Sequence, residues 1–360
     1  MLGYSRSIVS ENNNNSKLLV FGAWFGLVTG LVEGLGLLAM YGHGWLTPNN
    51  VRAGVTAEIV WISALVDLAL FLLLASLGIL LQRFLRRAEV VKLLVPVFVF
   101  VLSLDWLALS GRLGPIAVLA LAGGISVTFS RWFQKHVPET LSLLRRTLPA
   151  VLAIALLAFV TIEGTIWLKE RVATAKLPRA AADSPNVLVV VIDTLRADHL
   201  SLYGYPRETS PHLDAIAKRG VVFENDIAPS PWTLGSHASM LTGRYPHEHG
   251  VDHEVALDHR YPTLPEIFDE HGYRTGGFSA NLSYFTRPTG LARGFIHFDD
   301  YFYSVGDMFF RTLWGRILNK YAPDGPRFDE LYARKRAAQV NQELLSWVDQ
   351  DRDRPFFAFI

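Results

Sequence analysis

Two stretches in the second half of the chain carry residue types able to handle an anionic ester. Asp193 stands at the end of residues 186–192 (NVLVVVI), a short apolar run rich in β-branched residues, as expected for a strand buried on both faces. In open α/β sheets, ligands and reactive groups collect at that end of a strand; an Asp there also serves as an ordinary helix cap. The second stretch, APSPWTLGSHASMLTGRYPHEHG, begins at Ala228. Pro229 and Pro231 force an extended approach, Thr233 stands before a short helical run from Ser236, and Gly243 can end that run in the left-handed conformation. Such a turn places a hydroxyl at a helix N-terminus, where free N–H groups and the helix dipole favour an anion, which suits a nucleophile attacking a phosphate or sulfate centre. The competing reading is that Thr233 or Ser236 is a plain N-cap.

The elements that must position these residues follow the same pattern. Residues 210–220 read as a helix closed by Gly220, residues 221–223 as a short strand, and RPFFAFI at the end of the chain as another apolar strand. The chain as a whole is 50% hydrophobic with a mean hydropathy of +0.24, but the average joins two unlike halves. Before about Leu168 charges are sparse and apolar runs long, whereas from Pro185 onward His, Asp, Gly and Pro are frequent. A boundary near residue 175 follows. Against 34 basic residues stand 33 acidic ones, a formal charge of +1, so no large field points to nucleic acid as a partner. Cysteine is absent, which excludes disulfides and thiolate chemistry.

A bilayer core of about 30 Å needs about 20 apolar helical residues. Residues 18–40, 55–81, 91–109 and 148–168 satisfy that, and 115–129 is a shorter fourth span interrupted by Gly123 and Gly124. Basic residues mark cytoplasmic loops: Arg83, Arg86, Arg87 and Lys92 follow the second span, and Arg131, Lys135, Arg145 and Arg146 the fourth. The alternate loops hold little beyond Arg52 and Arg112. This alternation places residues 1–17, with Arg6 and Lys17, in the cytoplasm, and residues 185–360 outside a cell membrane crossed several times, behind a linker at 169–184. Lys169, Arg171, Lys176 and Arg179 oppose it weakly, but long translocated domains are largely exempt from the rule. The first span exceeds the apolar region of a cleaved signal peptide and is expected to remain as an anchor. Glu33, Asp67, Asp105 and Glu163 lie within or near span ends. They form either a polar path or lipid contact, or groups that are protonated, bonded between helices or near an interface.

The segment from Ala228 resembles the signature of the sulfatase family within the alkaline phosphatase superfamily. Many members carry Cys or Ser, then x-P-S-R, then a Leu-Thr-Gly tail. On that pattern Thr233 falls on the nucleophile, Ser236 on the motif Ser, His237 on the Arg, and Leu241, Thr242 and Gly243 on the tail. Further family-like blocks are IDTLRADHLSLYGY from Ile192, TSPHLDAIAKRGVVFEN from Thr209, TLPEIFDEHGYRT from Thr263 and GLARGFIHFDD from Gly290. The resemblance implies an α/β sulfatase-like domain over 185–360, with a mainly parallel sheet sandwiched by helices, behind a transmembrane bundle of about five spans at 18–168. It also implies a divalent metal (Ca, Mn, Zn or Mg) on Asp193 and Thr233, catalytic roles for Thr233 and His237, and substrate contacts from Ser236 and Asn281.

Departures from the pattern redirect the chemistry. Family members convert Cys or Ser to formylglycine, but oxidation of Thr233 would give a ketone, so that cofactor is not expected. Thr194 replaces the second carboxylate of the family's paired Asp, and Ser279, Ala280, Asn281 and Leu282 stand where a Gly-Lys-Trp-His element is usual. Threonine nucleophiles instead resemble the lipoteichoic acid synthases and phosphoethanolamine transferases, which also place about five spans before an outward catalytic domain. The likeness implies attack on a lipid-linked or envelope-glycan ester near membrane lipids, with a metal stabilising the alkoxide. His247 and His249 are expected to be structural. The family's later Asp/His ligand block has no counterpart before Ile360, so the expected active site is C-terminally incomplete and the chain is expected to be a fragment of a longer membrane enzyme; the alternative functions are a classical sulfuric ester hydrolase and a truncated noncatalytic membrane pseudoenzyme.

Overall fold

The computed structural model describes residues 2–42, 55–82, 84, 87–109, 111–252, 255–281, 284–300, 304–321 and 335–360. Arg52, Arg83, Arg86 and Leu282 lie outside the described residues. In chain order the helices are α1 (Leu2–Gly42), α2 (Ile59–Leu81), α3 (Arg87–Leu109), α4 (Pro115–Phe133) and α5 (Val137–Lys176). There follow β1 (Val187–Val189), α6 (Pro211–Ala217), α7 (Thr233–Thr242), α8 (Pro246–His249), α9 (Leu264–Glu270), β2 (Arg274–Phe278) and β3 (His297–Asp299). The last elements are α10 (Val305–Arg311), α11 (Leu313–Tyr321), α12 (Ala337–Asp349) and β4 (Phe356–Phe359). The chain divides into two compact units, Met1–Lys169 with Phe302–Arg334, and Glu170–Tyr301 with Lys335–Ile360.

Among the described residues, five helices are long and apolar enough to cross a membrane. The fourth continues through Phe133 despite Gly123 and Gly124. The fifth is a single 40-residue helix, about 60 Å long, so the expected linker is helical over its first residues. Helices α1 and α2 touch through backbone. Gly22, Gly26, Gly30 and Gly34 recur every fourth residue and therefore share one face of α1. A Cβ on Gly30 would lie 2.3 Å from Ser63 O and 2.5 Å from Ala64 Cα, and one on Gly34 2.5 Å from Val60 Cα. Small residues permit such close approach where helices gain by packing alone. Beside this seam Phe21 and Phe25 of α1 meet Phe71 of α2, Phe98 of α3 and Phe133 of α4 in a buried aromatic cluster. The Ser126 hydroxyl of α4 donates to Pro96 O of α3 at 2.6 Å. The same unit takes in α10 and α11 from late in the sequence.

The second unit is built on a four-stranded parallel sheet in the order β1-β4-β2-β3. The final strand inserts between the first two, pairing Val187 with Phe357 and Gly276 with Ala358. Side chains alternate across it. Phe357 and Phe359 enter a core with Leu234, Ala238 and Leu241 of α7, Tyr273, Phe285, Leu291 and Phe298. Ala358 faces the opposite layer, where α12 lays Val340, Leu344 and Trp347 against Phe278. The 4- and 3-residue spacings in α7 and α12 are the apolar stripes of helices with one covered face.

Two local expectations are corrected. Strand β1 is covered on one face only: Val187, Val189 and Val191 pack against the core, while Leu188, Val190 and Ile192 on the opposite face are each about half exposed. Residues 221–223 form no strand; Val221 is 81% exposed, and without a ladder partner β-branched sequence alone does not make one.

Candidate active site

The sheet aims its first ladder at the carboxylate. Beyond β1 the pairing continues, with Val191 N–H donating to Ile360 O at 2.8 Å and Ile360 N–H to Val189 O at 2.9 Å. Asp193 emerges just past that rung. Thr194, next in the chain, has φ +60°, the left-handed region that a β-branched residue enters at a cost of about 1–2 kcal/mol. Its hydroxyl donates to Asp193 O at 2.7 Å. No sequence signal announces this conformation, because Gly or Asn is the usual occupant.

The hydroxyl comes from α7. The N-cap of that helix is Trp232, with extended backbone and no side-chain cap bond. Thr233 is thus the first helical residue rather than the cap, and the helix begins three residues earlier than Ser236. The Thr233 hydroxyl donates to Asp193 Oδ2 at 3.1 Å, which sets aside the N-cap reading. Ser236, half-buried, lies in the same first turn. Gly243 ends α7 at φ +65°, as its position in the sequence implied.

His237, one turn along, is 7% exposed and packs between the rings of Phe285 and Phe359 at 5.5 and 5.7 Å. Its Nδ1 lies 2.8 Å from Thr233 O. A carbonyl only accepts, so Nδ1 carries the hydrogen in that bond. Burial pushes the imidazole pKa down, against smaller upward pulls from Thr233 O and Asp193. A neutral His237 therefore ties the backbone of the first turn in place.

Asn281 follows β2. Its Nδ2 donates to Asp193 Oδ2 at 3.0 Å, and its Oδ1 accepts Tyr284 N–H at 3.1 Å. Ser279 Oγ accepts Asn281 N–H at 3.1 Å, and Ser279 N–H is tied to Asp299 O. A single carboxylate oxygen thus receives donors from the ends of two neighbouring segments, the helix N-terminus and the β2 loop. His249 is structural: it is 1% exposed, accepts Val251 N–H at Nδ1 and faces Ser239 Oγ through Nε2. His247 is exposed and stacks on Tyr245.

Asp193 and Thr233 present oxygen donors with one formal charge, a set that suits a hard divalent cation, whereas Asn281 turns its Nδ2 toward Asp193. The two oxygens would supply only part of a coordination sphere, since such ions take six or more ligands.

The match to known proteins covers the same stretch. The family model described as Sulfatase matches residues 185–360. An ulvan-active sulfatase of Formosa agariphila is 36% identical over 92 residues, 25% of this chain and 18% of that protein. Arylsulfatase A of Bos taurus is 36% identical over 104 residues, 27% of this chain and 20% of that protein. An N-acetylgalactosamine-6-O-sulfatase of Bacteroides thetaiotaomicron is 33% identical over 101 residues, 26% and 20% of the two chains. The matched stretch thus spans about a fifth of each relative's length. No solved structure matches the chain significantly. With the parallel sheet and flanking helices described above, these likenesses place residues 185–360 in the sulfatase family of the alkaline phosphatase superfamily.

Proposed function

We propose that this protein is a membrane-bound sulfatase-family metalloenzyme that hydrolyses or transfers sulfate or phosphate esters outside the membrane, with Thr233 as nucleophile. The observation that carries the reading is the 3.1 Å bond from the Thr233 hydroxyl to Asp193 Oδ2, at a helix N-terminus and at the C-terminal end of the sheet.

In the resting arrangement the Thr233 hydroxyl donates a hydrogen bond to Asp193. As Thr233 Oγ attacks the phosphorus or sulfur, its proton passes to Asp193 and on to the departing ester oxygen; water or an acceptor hydroxyl then attacks the same centre, and its proton returns by Asp193 to Thr233 Oγ as that oxygen leaves. The first-turn N–H groups of α7 face the developing anion, and His237 keeps that turn fixed. A bound divalent cation, held by Asp193 and Thr233, would stabilise the alkoxide and the anionic ester oxygens. Ser236 and Asn281 border the position of the ester. The absence of cysteine and the threonine at the nucleophile position support a route without formylglycine. They also support the likeness to lipoteichoic acid synthases and phosphoethanolamine transferases. The five apolar helices and the alternation of basic loops support an N-terminus inside, a catalytic domain outside, and a substrate at the lipid surface or in an envelope glycan.

The test is turnover of phosphodiester and aryl sulfate substrates by the full chain, with and without chelator. Turnover is expected to need the metal and to fall by about 10³-fold or more in Thr233→Ala. Full metal-dependent turnover in that variant would exclude Thr233 as nucleophile.

A further inference from the structure

The helical unit buries a second set of carboxylates, far in sequence from the sulfatase signature. Glu33 of α1, Asp67 of α2 and Asp105 of α3 are each wholly enclosed at 0% exposure, and each offers a carboxylate oxygen within 4.8 Å of the others. Asp105 lies four residues before the end of α3, about 6 Å along the helix. Its partners come from the late part of α1 and the early part of α2, so the three meet toward one end of the bundle.

Two of the three carboxylates are fixed through one oxygen only. Glu33 Oε1 accepts the Ser63 hydroxyl at 2.8 Å and Leu313 N–H at 2.9 Å. Asp67 Oδ1 accepts the Trp314 indole N–H at 2.8 Å. Glu33 Oε2, Asp67 Oδ2 and both oxygens of Asp105 are buried and lack a hydrogen-bond partner. Asp105 is therefore an enclosed side chain with no hydrogen-bond donor on either oxygen, facing only the other carboxyls of the cluster, Glu33 first, and these are already oriented from behind. Outer hydrogen bonds that hold one oxygen and leave the other free are how proteins orient metal ligands. Arg316 of α11 acts electrostatically on Glu33, one basic group against three carboxyls, and buried anions in excess of their counter-charge are otherwise strongly disfavoured.

We propose that Glu33, Asp67 and Asp105 form a site for a hard divalent cation such as Ca²⁺, Mg²⁺ or Mn²⁺. The donors are all oxygen, the preference of those ions, and they come from three helices. Bound cation therefore clamps α1, α2 and α3 together beneath α11. The competing occupants are protons shared among the carboxyls.

The site is tested on the full chain in detergent, equilibrated with each cation, desalted and analysed for bound metal. Work in an Asp193→Asn background keeps the sulfatase centre out of the count. The Asp193→Asn chain is expected to retain one divalent cation that Asp193→Asn/Asp105→Asn loses. Its melting temperature should rise with added cation, and that rise should vanish with Asp67→Asn. Should Asp105→Asn fail to fold, Glu33→Gln serves in its place, and the Asp193→Asn chain alone remains decisive. An Asp193→Asn chain with no bound cation and no cation-dependent melting shift overturns the proposal and leaves shared protons. Neither result bears on Thr233.

Discussion

Gly30→Ala should destabilise the helical unit, although alanine is the better helix former. The added methyl would stand 2.3 Å from Ser63 O and 2.5 Å from Ala64 Cα, whereas carbon contacts settle at about 3.5–4.0 Å. Both obstacles are backbone, so no side chain can swing aside and α1 and α2 must separate by about 1 Å. Overpacking of this kind costs about 1–3 kcal/mol, and a gap of about 1 Å forfeits a quarter to a half of each dispersion contact along the seam. The intrinsic gain of Ala over Gly is about 1 kcal/mol, so overpacking alone leaves about 0–2 kcal/mol on the unfavourable side, and the forfeited dispersion adds to it. Gly164 on α5 supplies the control. A Cβ there meets no heavy atom within 4 Å, so Gly164→Ala should be neutral or stabilising by up to about 1 kcal/mol. Tryptophan fluorescence during thermal or detergent-induced unfolding in micelles reads both variants. Equal stability of the two, or a Gly30→Ala chain more stable than the parent, would refute the close packing of α1 on α2.

Arg274, 5% exposed, donates to Asp351 O at 2.6 Å and Trp347 O at 2.8 Å while lying 4.3 Å over the Trp347 ring. Arg274→Lys keeps the charge but loses the planar fork, and urea titration should show a loss of about 1.5–3 kcal/mol. His237 has its pKa lowered by burial. The unfolded chain therefore binds the proton first, near the ordinary value of about 6.5. Stability from this group is complete above that pH and is lost as pH falls toward the lower folded value. Burial lowers His249 in the same sense. Unfolding followed across pH should show a reduced acid slope in His237→Asn and a smaller one still when His249→Gln is added; an unchanged slope would contradict the burial argument.

The candidate site was legible because its signals are local. The apolar run before Asp193, the two prolines before Thr233 and the glycine at 243 each act within a few residues, and the structure brings Asp193 and Thr233 to bonding distance. Strand β4 was equally plain from FFAF. What the chain concealed depends on partners. The open face of β1 depends on what packs over the sheet, which no single strand encodes. The glycines at 22, 26, 30 and 34 stand in plain sight, but their importance needs α2 opposite them. Glu33, Asp67 and Asp105 are separated by more than thirty positions each and converge only when three helices have chosen their rotations. The attachment of α10 and α11 to the helical unit, from inside a stretch with sulfatase character, had no local signal at all.

Thr194 sets an evolutionary trap. Its left-handed backbone is one that glycine adopts freely, so a laboratory screen rewarding heat resistance alone would meet Thr194→Gly early among its winners. Such a winner would lose the Thr194 hydroxyl that donates to Asp193 O, and under the proposed chemistry it would gain in melting temperature while losing turnover.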